Sequence, residues 1–164
     1  MKSLKEDFLK YQAKTTPYPL GITIDSAKGS YLYDIDGKSY LDFVAGVSAC
    51  TLGHCHPKIV AAIKKQAERY LHVMVYGEYI QSPQYKLAEL LAQNLPEQLN
   101  TTYFTNSGTE AIEGAMKLAK RATGRSEFIS CVNSYHGSTQ GSLSIMGNEE
   151  YKSSYRPLLS NCNK

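Results

Sequence analysis

A chain of 164 residues is long enough to bury one ordinary core, so its size demands neither a disulfide framework nor a structural metal. With 42% hydrophobic and 20% charged residues it falls in the soluble globular range, and no stretch nears the roughly 18 apolar residues of a membrane span. The formal charge of +3 is small, and Lys and Arg are interleaved with Asp and Glu, which argues against a nucleic-acid-binding stripe.

The opening MKSLKEDFLKYQ mixes charge with apolar residues and lacks the apolar run and small-residue cleavage site of a secretory signal, so cytoplasm is the expected compartment. Residues Met1 to Tyr11 are predicted to form a leading helix, followed by an extended link around Pro17 and Pro19. In SYLYDIDGKSYLDF, Tyr31 and Tyr33 alternate with Leu32 and Asp34, Asp36-Gly37 supplies turn residues, and Tyr40 to Phe43 returns, which predicts a hairpin. Gly46 to His56 is rich in Gly, Ser, Cys and Thr and reads as a loop that could border a site. Cys50, Cys55, Cys131 and Cys162 are irregularly spaced and are expected as free thiols. Within His54-Cys55-His56, adjacent side chains rarely converge on one ion and Pro57 reads as a helix start, so no metal is expected.

From Pro57 to Leu71, Ile59, Val60, Ile63 and Ala67 recur at helical spacing, with the charged residues largely off that stripe. A second helix is predicted from Ser82-Pro83, as N-cap and N1, through Leu87, Leu90 and Leu91 to a stop at Pro96. Between them HVMVYGEYIQ is apolar and aromatic, and reads either as buried irregular chain or as an interface. Next come a strand at Thr101 to Thr105, a helix from Thr109 to Ala122 stopped by Gly124, and a strand from Glu127 to Val132. That order predicts a βαβ unit, and with it an α/β fold with a parallel sheet. The final SNCNK shows no periodicity.

The junction TNSGTEA places Ser107, Gly108 and Thr109 where a strand hands over to a helix. Unpaired backbone N–H groups and the positive end of the helix dipole face outward there, and a glycine admits a ligand close to the chain, so an anionic phosphate fits. Ser107 and Glu110 also have the spacing of a capping box, which would satisfy the same donors without a ligand. After the following strand, Tyr135, His136 and Gly137 are expected beside that junction, on the carboxyl edge where open parallel sheets bind ligands. An aromatic face beside a phosphate cradle suits a flat phosphorylated heteroaromatic such as pyridoxal phosphate, although a lone tyrosine more often simply packs.

With these residues in place, the chain resembles class III pyridoxal-phosphate aminotransferases of fold type I, from about Pro17 to Leu159. GSYLYDIDGKSYLDFVAGVSACTLGHCHPKIVAAIKKQ, YGEYIQSPQYKLAELLA, YFTNSGTEAIEGAMKLA and YHGSTQGSLS are similar, in order, to four blocks of that family. The resemblance implies that Ser107, Gly108 and Thr109 bind the cofactor phosphate, that Tyr135 stacks on the pyridine ring, and that His136 and Gly137 complete the motif. It further implies that residues 1–56 belong to the small domain and residues 57–164 begin the large cofactor-binding domain. It places Val47 in a segment lining the substrate side, and residues 74–82 near the interface of a homodimer. Amino donor and keto acid acceptor are the substrates it implies.

Two departures stand out. Members acting on acetylornithine, ornithine or 4-aminobutyrate typically carry a carboxylate-clamping arginine where this chain has Ser138, and a serine cannot form that bidentate pair. The form Y-H-G-S-T is similar instead to members using other amines or omega-amino acids, with Ser138 on the substrate side. The family's Schiff-base (aldimine) lysine belongs to a segment beyond this sequence, and Lys117, Lys120 and Lys164 are not evident substitutes, so no catalytic residue is assigned. The 164-residue chain by itself is therefore expected to be inactive, with a non-catalytic cofactor-binding or dimerising product, or an unstable one, as the alternative.

Overall fold

The computed structural model describes residues 4–163, which divide into two compact units, one up to Tyr79 and one from Ile80 onward. The first unit begins with α1 (Leu4–Tyr11), whose Glu6 and Asp7 in the first turn and Lys10 in the last complement the helix dipole. The first three residues of the expected leading helix lie outside the described residues. The predicted hairpin is present: β2 (Tyr31–Asp34) pairs antiparallel with β3 (Ser39–Leu41), and Gly37 takes φ 80° in the connection.

Asp34 organises that turn. Its Oδ1 accepts the N–H groups of Asp36 and Lys38 at 3.0 and 2.9 Å, and its Oδ2 accepts the Tyr40 hydroxyl at 2.8 Å. The Tyr40 hydroxyl, foremost, holds the Asp34 carboxyl below its ordinary pKa. A further strand, β1 (Ile24–Lys28), pairs antiparallel with β2 across an irregularity between Ile24 and Ser26, completing a three-stranded meander in the order β1-β2-β3.

The loop beyond the sheet contains α2 (Ala45–Ser48), a turn whose residues Ala45, Gly46, Val47 and Ser48 all have positive φ, between 49° and 65°. Left-handed backbone costs a non-glycine residue about 1–2 kcal/mol, and a β-branched one is the least suited to it. Asp42 holds the turn: its Oδ1 accepts the N–H groups of Val44 and Ala45 at 2.9 and 3.0 Å, while its Oδ2 lies 2.7 Å from His54 Nε2. His54 is fixed in turn by two backbone hydrogen bonds with Gly29. A side chain on Gly53 would press on the Gly29 backbone, which is why the chain can close here only at a glycine.

The predicted helix from Pro57 is α3 (Pro57–Ala67), ending short of Leu71 where Gln66 Nε2 donates to the Tyr70 carbonyl at 3.0 Å. In residues 72–79 the chain is irregular, as expected, and Val75 and Tyr76 are each 70% exposed, which rules out the buried alternative for these two side chains.

The second unit starts with α4 (Ser82–Asn94). Its N-cap is Gln81, so Ser82 is the first helical residue and Pro83 follows inside the first turn, one position later than the sequence suggested. Helix α5 (Gly108–Thr123) ends as predicted at Gly124, left-handed at φ 69° with its N–H bonded to the Lys120 carbonyl at 2.9 Å. The expected strand at Thr101 to Thr105 does not form, because its backbone finds no ladder partner among the described residues. Parallel pairing arises instead between β4 (Phe128–Ile129) and β5 (Cys162–Asn163), in the segment whose sequence carried no pattern. A parallel pair needs a crossover, and the connection between β4 and β5 contains the six-residue helix α6 (Gln140–Ile145).

Helix α6 is the centre of the second unit. Among the described residues Leu143, Met146 and, from α5, Met116 are the buried hydrophobic ones, accompanied by buried Ser142, Ser144 and Lys152. Gln140-Gly-Ser-Leu-Ser-Ile is a poor helix former, so tertiary bonds must hold it. The Lys152 ammonium donates to the carbonyls of Ser144 and Met146 at 2.9 and 3.0 Å, placing a cation at the negative end of the helix.

Outside this small core much apolar surface remains in contact with solvent. The chain exposes 13770 Å², whereas even two separate domains of half its mass would together expose about 9,800 Å². The isolated 164-residue polypeptide should therefore bind a hydrophobic dye such as ANS strongly and unfold in urea with a shallow slope, below about 1 kcal/mol/M. A steep cooperative transition without dye binding would contradict this. Within the first unit, Val47→Gly should raise rather than lower the unfolding midpoint, since a residue 86% exposed loses little packing and glycine relieves the left-handed strain. Tyrosine fluorescence during denaturation of the two forms measures the difference.

Candidate functional site

Ser107 sits at the N-cap of α5 in extended conformation, and its Oγ accepts the Glu110 N–H at 3.2 Å. The expected capping box closes only on one side: Glu110 Oε2 reaches past Ser107 and accepts the Asn106 N–H at 2.9 Å. Among the described residues no protein acceptor takes the N–H groups of Ser107, Gly108 and Thr109. A side chain built on Gly108 would meet nothing within 4 Å, so the backbone is open to close approach. These free donors stand at the positive end of a 16-residue helix, an arrangement that attracts an anion.

A cleft of about 480 Å³ opens at this point, lined by Gly108, Thr109, Ile112, Tyr135, His136, Gly137 and Ser138. The structure thus brings two of the three predicted phosphate-loop residues together with the whole Tyr135 to Ser138 segment. Ser107 caps the same helix from just outside the lining, and Val47 lies in the first unit. Tyr135 is 67% exposed and its ring meets Tyr151 edge-on, with centroids 6.2 Å apart at 83°, so the residue is braced yet mostly uncovered. Gly137 is buried at φ 115°, and a side chain there would run into Thr109, which is why the two loops can approach this closely. A larger hollow of about 620 Å³ runs along Lys117, Leu118, Lys120 and Arg121, but all four belong to α5 and no second element brings polar groups to it.

What fixes the two loops side by side is Glu113, one turn into α5. Its Oε1 accepts the Thr139 hydroxyl at 2.6 Å and the N–H groups of Gly141 and Ser142 at 2.7 and 3.1 Å. The carboxylate therefore occupies the N-terminal end of α6. The Thr139 hydroxyl first, then the Ser142 and Gly141 N–H groups, hold its pKa below the ordinary glutamate value, against the opposing effect of partial burial. Thr109 joins the same cluster: its Oγ1 lies 2.7 Å from Thr139 Oγ1 and 2.6 Å from Ser142 Oγ.

The family model for aminotransferase class-III matches residues 11–164. The chain belongs to the class III aminotransferases. Curated relatives include the acetylornithine aminotransferase of Archaeoglobus fulgidus, 40% identical over 139 residues, which cover 85% of this chain and 36% of the relative. That of Halalkalibacterium halodurans is 43% identical over 140 residues, covering 84% and 35%. Among solved structures, adenosylmethionine-8-amino-7-oxononanoate aminotransferase from Methanocaldococcus jannaschii matches with a TM-score of 0.87 at 31% identity, over 98% of this chain and 39% of that one. An amine transaminase from an uncultivated Pseudomonas species, solved in its pyridoxal-phosphate-bound form, matches with a TM-score of 0.80 at 28% identity, over 93% and 38%. The mixed α/β architecture read from the sequence is thus that of this family, and the chain spans about a third of the length of the curated relatives it matches.

The sequence reading of this class III chain passed over Glu113, Thr139 and Ser142. The Thr139-x-x-Ser142 spacing is a helix-start signal that was available, but the role of Glu113 depends on a contact across 26 to 29 residues and has no local mark. Since the Glu113 carboxyl has a depressed pKa in the folded state, its contribution is complete above the unfolded value, near 4, and is lost as pH falls through the lower folded value. Glu113→Ala should cost about 1–3 kcal/mol at pH 7 by leaving those donors unpaired. The stability difference between wild type and variant, measured by denaturation from pH 7 downward, should narrow as pH falls through that lower folded value.

Proposed function

We propose that the cleft between the α5 N-terminus and the Tyr135 loop is the cofactor site of a pyridoxal-phosphate-dependent aminotransferase. The observation that supports this reading above the others is the convergence of the free N–H donors of Gly108 and Thr109, capped by Ser107, with the exposed Tyr135 in one cleft. The residues fit the group. Ser107, Gly108 and Thr109 would receive the phosphate, Tyr135 would stack on the ring, and His136 and Gly137 would shape the floor. When bound, pyridoxal phosphate supplies an electron sink that lets an amino group pass from an amine or amino acid to a keto acid.

The protein's own part is to bind and orient. The helix end offsets the phosphate charge, and Tyr135, held edge-on by Tyr151, presents a flat face that sets the plane of the ring. Ser138 in the lining is too short and uncharged to clamp a carboxylate bidentately, which favours an amine or omega-amino acid donor over acetylornithine. Val47, on its left-handed turn, would face substrate. Residues 1–56 would form part of the small domain and 57–164 the start of the large one, and the whole enzyme would be a cytoplasmic homodimer.

A titration with pyridoxal phosphate, followed by absorbance, tests the assignment. Saturable binding is expected, weakened about 2- to 12-fold by Tyr135→Ala, as loss of one stacking contact implies. No turnover of an amine and keto acid pair is expected from the 164-residue polypeptide, for want of a lysine placed to hold the cofactor covalently. A borohydride-trapped adduct at one defined lysine, together with turnover, would sink that part. The alternative, that the 164-residue chain acts only as a non-catalytic dimerising or unstable product, is favoured by its exposed apolar surface and is distinguished by sedimentation with and without cofactor.

A further inference from the structure

Beneath the phosphate loop lies a cluster of three hydroxyls whose protons can be counted. Thr109 Oγ1, Thr139 Oγ1 and Ser142 Oγ lie within 2.6 to 3.0 Å of one another. The Glu113 carboxylate can only accept, so the Thr139 hydroxyl, 2.6 Å away, must donate to it. Thr139 Oγ1 is then left as an acceptor toward the other two. Ser142 Oγ accepts the Thr139 N–H at 3.2 Å, which also reaches Thr109 Oγ1 at 3.4 Å, and keeps one proton, which can go to the Thr139 carbonyl at 3.2 Å, to Thr139 Oγ1 at 3.0 Å or to Thr109 Oγ1 at 2.6 Å. Thr109 likewise has one proton, for Thr139, for Ser142, or for a ligand in the cleft it lines.

These choices are coupled. With no anion present, Thr109 can donate inward, to Thr139 or Ser142, and Ser142 can donate to the Thr139 carbonyl. When Thr109 turns its proton outward, its inward lone pair faces Ser142, which is fully buried at 0% exposure and has no access to solvent. Rotation of the Ser142 hydroxyl onto Thr109 then replaces the lost inward bond, so the cluster stays satisfied in both states. A neighbouring donor also polarises the outward O–H and strengthens it.

We propose that Ser142 is a positioning residue for anion binding: its buried hydroxyl switches from the Thr139 carbonyl to Thr109 Oγ1 and so releases the Thr109 proton to a phosphate in the cleft. Glu113 fixes the direction of the chain by always taking the Thr139 proton. The proposal rests on the phosphate-site reading above and adds to it a residue outside the lining of the cleft.

The test is a double-mutant cycle on the 164-residue chain, with pyridoxal phosphate and inorganic phosphate as separate probes. Ser142→Ala should weaken both ligands about 2- to 12-fold, the loss of one net hydrogen bond. On a Thr109→Val background the same change should cost nothing further, because no outward proton remains to be released. Ser142→Cys, close in volume and a poor donor, should reproduce the alanine effect, and covers the case in which alanine disturbs folding. Unchanged affinity in both Ser142 variants, or losses that add fully to that of Thr109→Val, overturns the role of Ser142 while leaving the cofactor site standing. Failure of the unsubstituted chain to bind either probe overturns the cofactor-site reading, and this proposal with it.

Discussion

The carboxylate of Glu113 is the constraint on which the second unit turns. A six-residue helix built from Gln, Gly and Ser has no propensity to exist alone, yet α6 is the most buried element of the unit. It exists because Glu113 takes the N–H groups of Gly141 and Ser142 at one end and the Lys152 ammonium takes the carbonyls of Ser144 and Met146 at the other. Opposite charges thus sit at opposite ends of the peptide dipole, each by direct hydrogen bonding. Because Glu113 belongs to α5, the same bonds that make α6 a helix also hold it against α5. The Tyr135 to Ser138 loop, which runs directly into α6, is thereby delivered beside the N-terminus of α5.

This explains why glycines are needed at two of the contacts. At Gly137 the incoming loop passes Thr109 with no room for a side chain, and at Gly141 the backbone lies so near the Glu113 carboxylate that a side chain would displace it. The cleft is then a consequence of close packing beneath it: the polar cluster fills the floor, leaving donors and an aromatic face uncovered above. In the first unit a carboxylate plays a comparable part. Asp42 accepts two N–H groups at the start of the left-handed turn and pairs with His54, and the pairing with His54, chief among the causes, lowers its pKa. In both units buried or half-buried carboxylates, rather than a large apolar core, define the local geometry.

The exposed apolar surface belongs to the same description. Leu, Ile and Tyr side chains placed at helical spacing on α3 and α4 are the residues a larger fold would cover, and here they meet solvent. The polar clamps are local and satisfied within each unit, whereas apolar burial is shared among many elements. The likeness to solved class III enzymes over nearly the whole chain, at little more than a third of their length, is consistent with both facts.

By itself the sequence determined the periodic helices α3, α4 and α5, the Asp36-Gly37 hairpin, the Gly124 stop and, of the cleft lining, Gly108, Thr109 and Tyr135 to Ser138 but not Ile112, because each is written in neighbouring positions. Turn chemistry, helical spacing and the motifs TNSGTEA and YHGST are local signals. Tertiary structure alone decided that Thr101 to Thr105 would go unpaired, that the patternless Cys162–Asn163 would become a strand, and that Gln140–Ile145 would be a helix. A strand is made by its partner and a short polar helix by whatever satisfies its ends. The partner strand of Cys162–Asn163 lies 34 residues away and the Glu113 that holds the start of α6 lies 26 to 29 away, at separations where the residues carry no mark of each other.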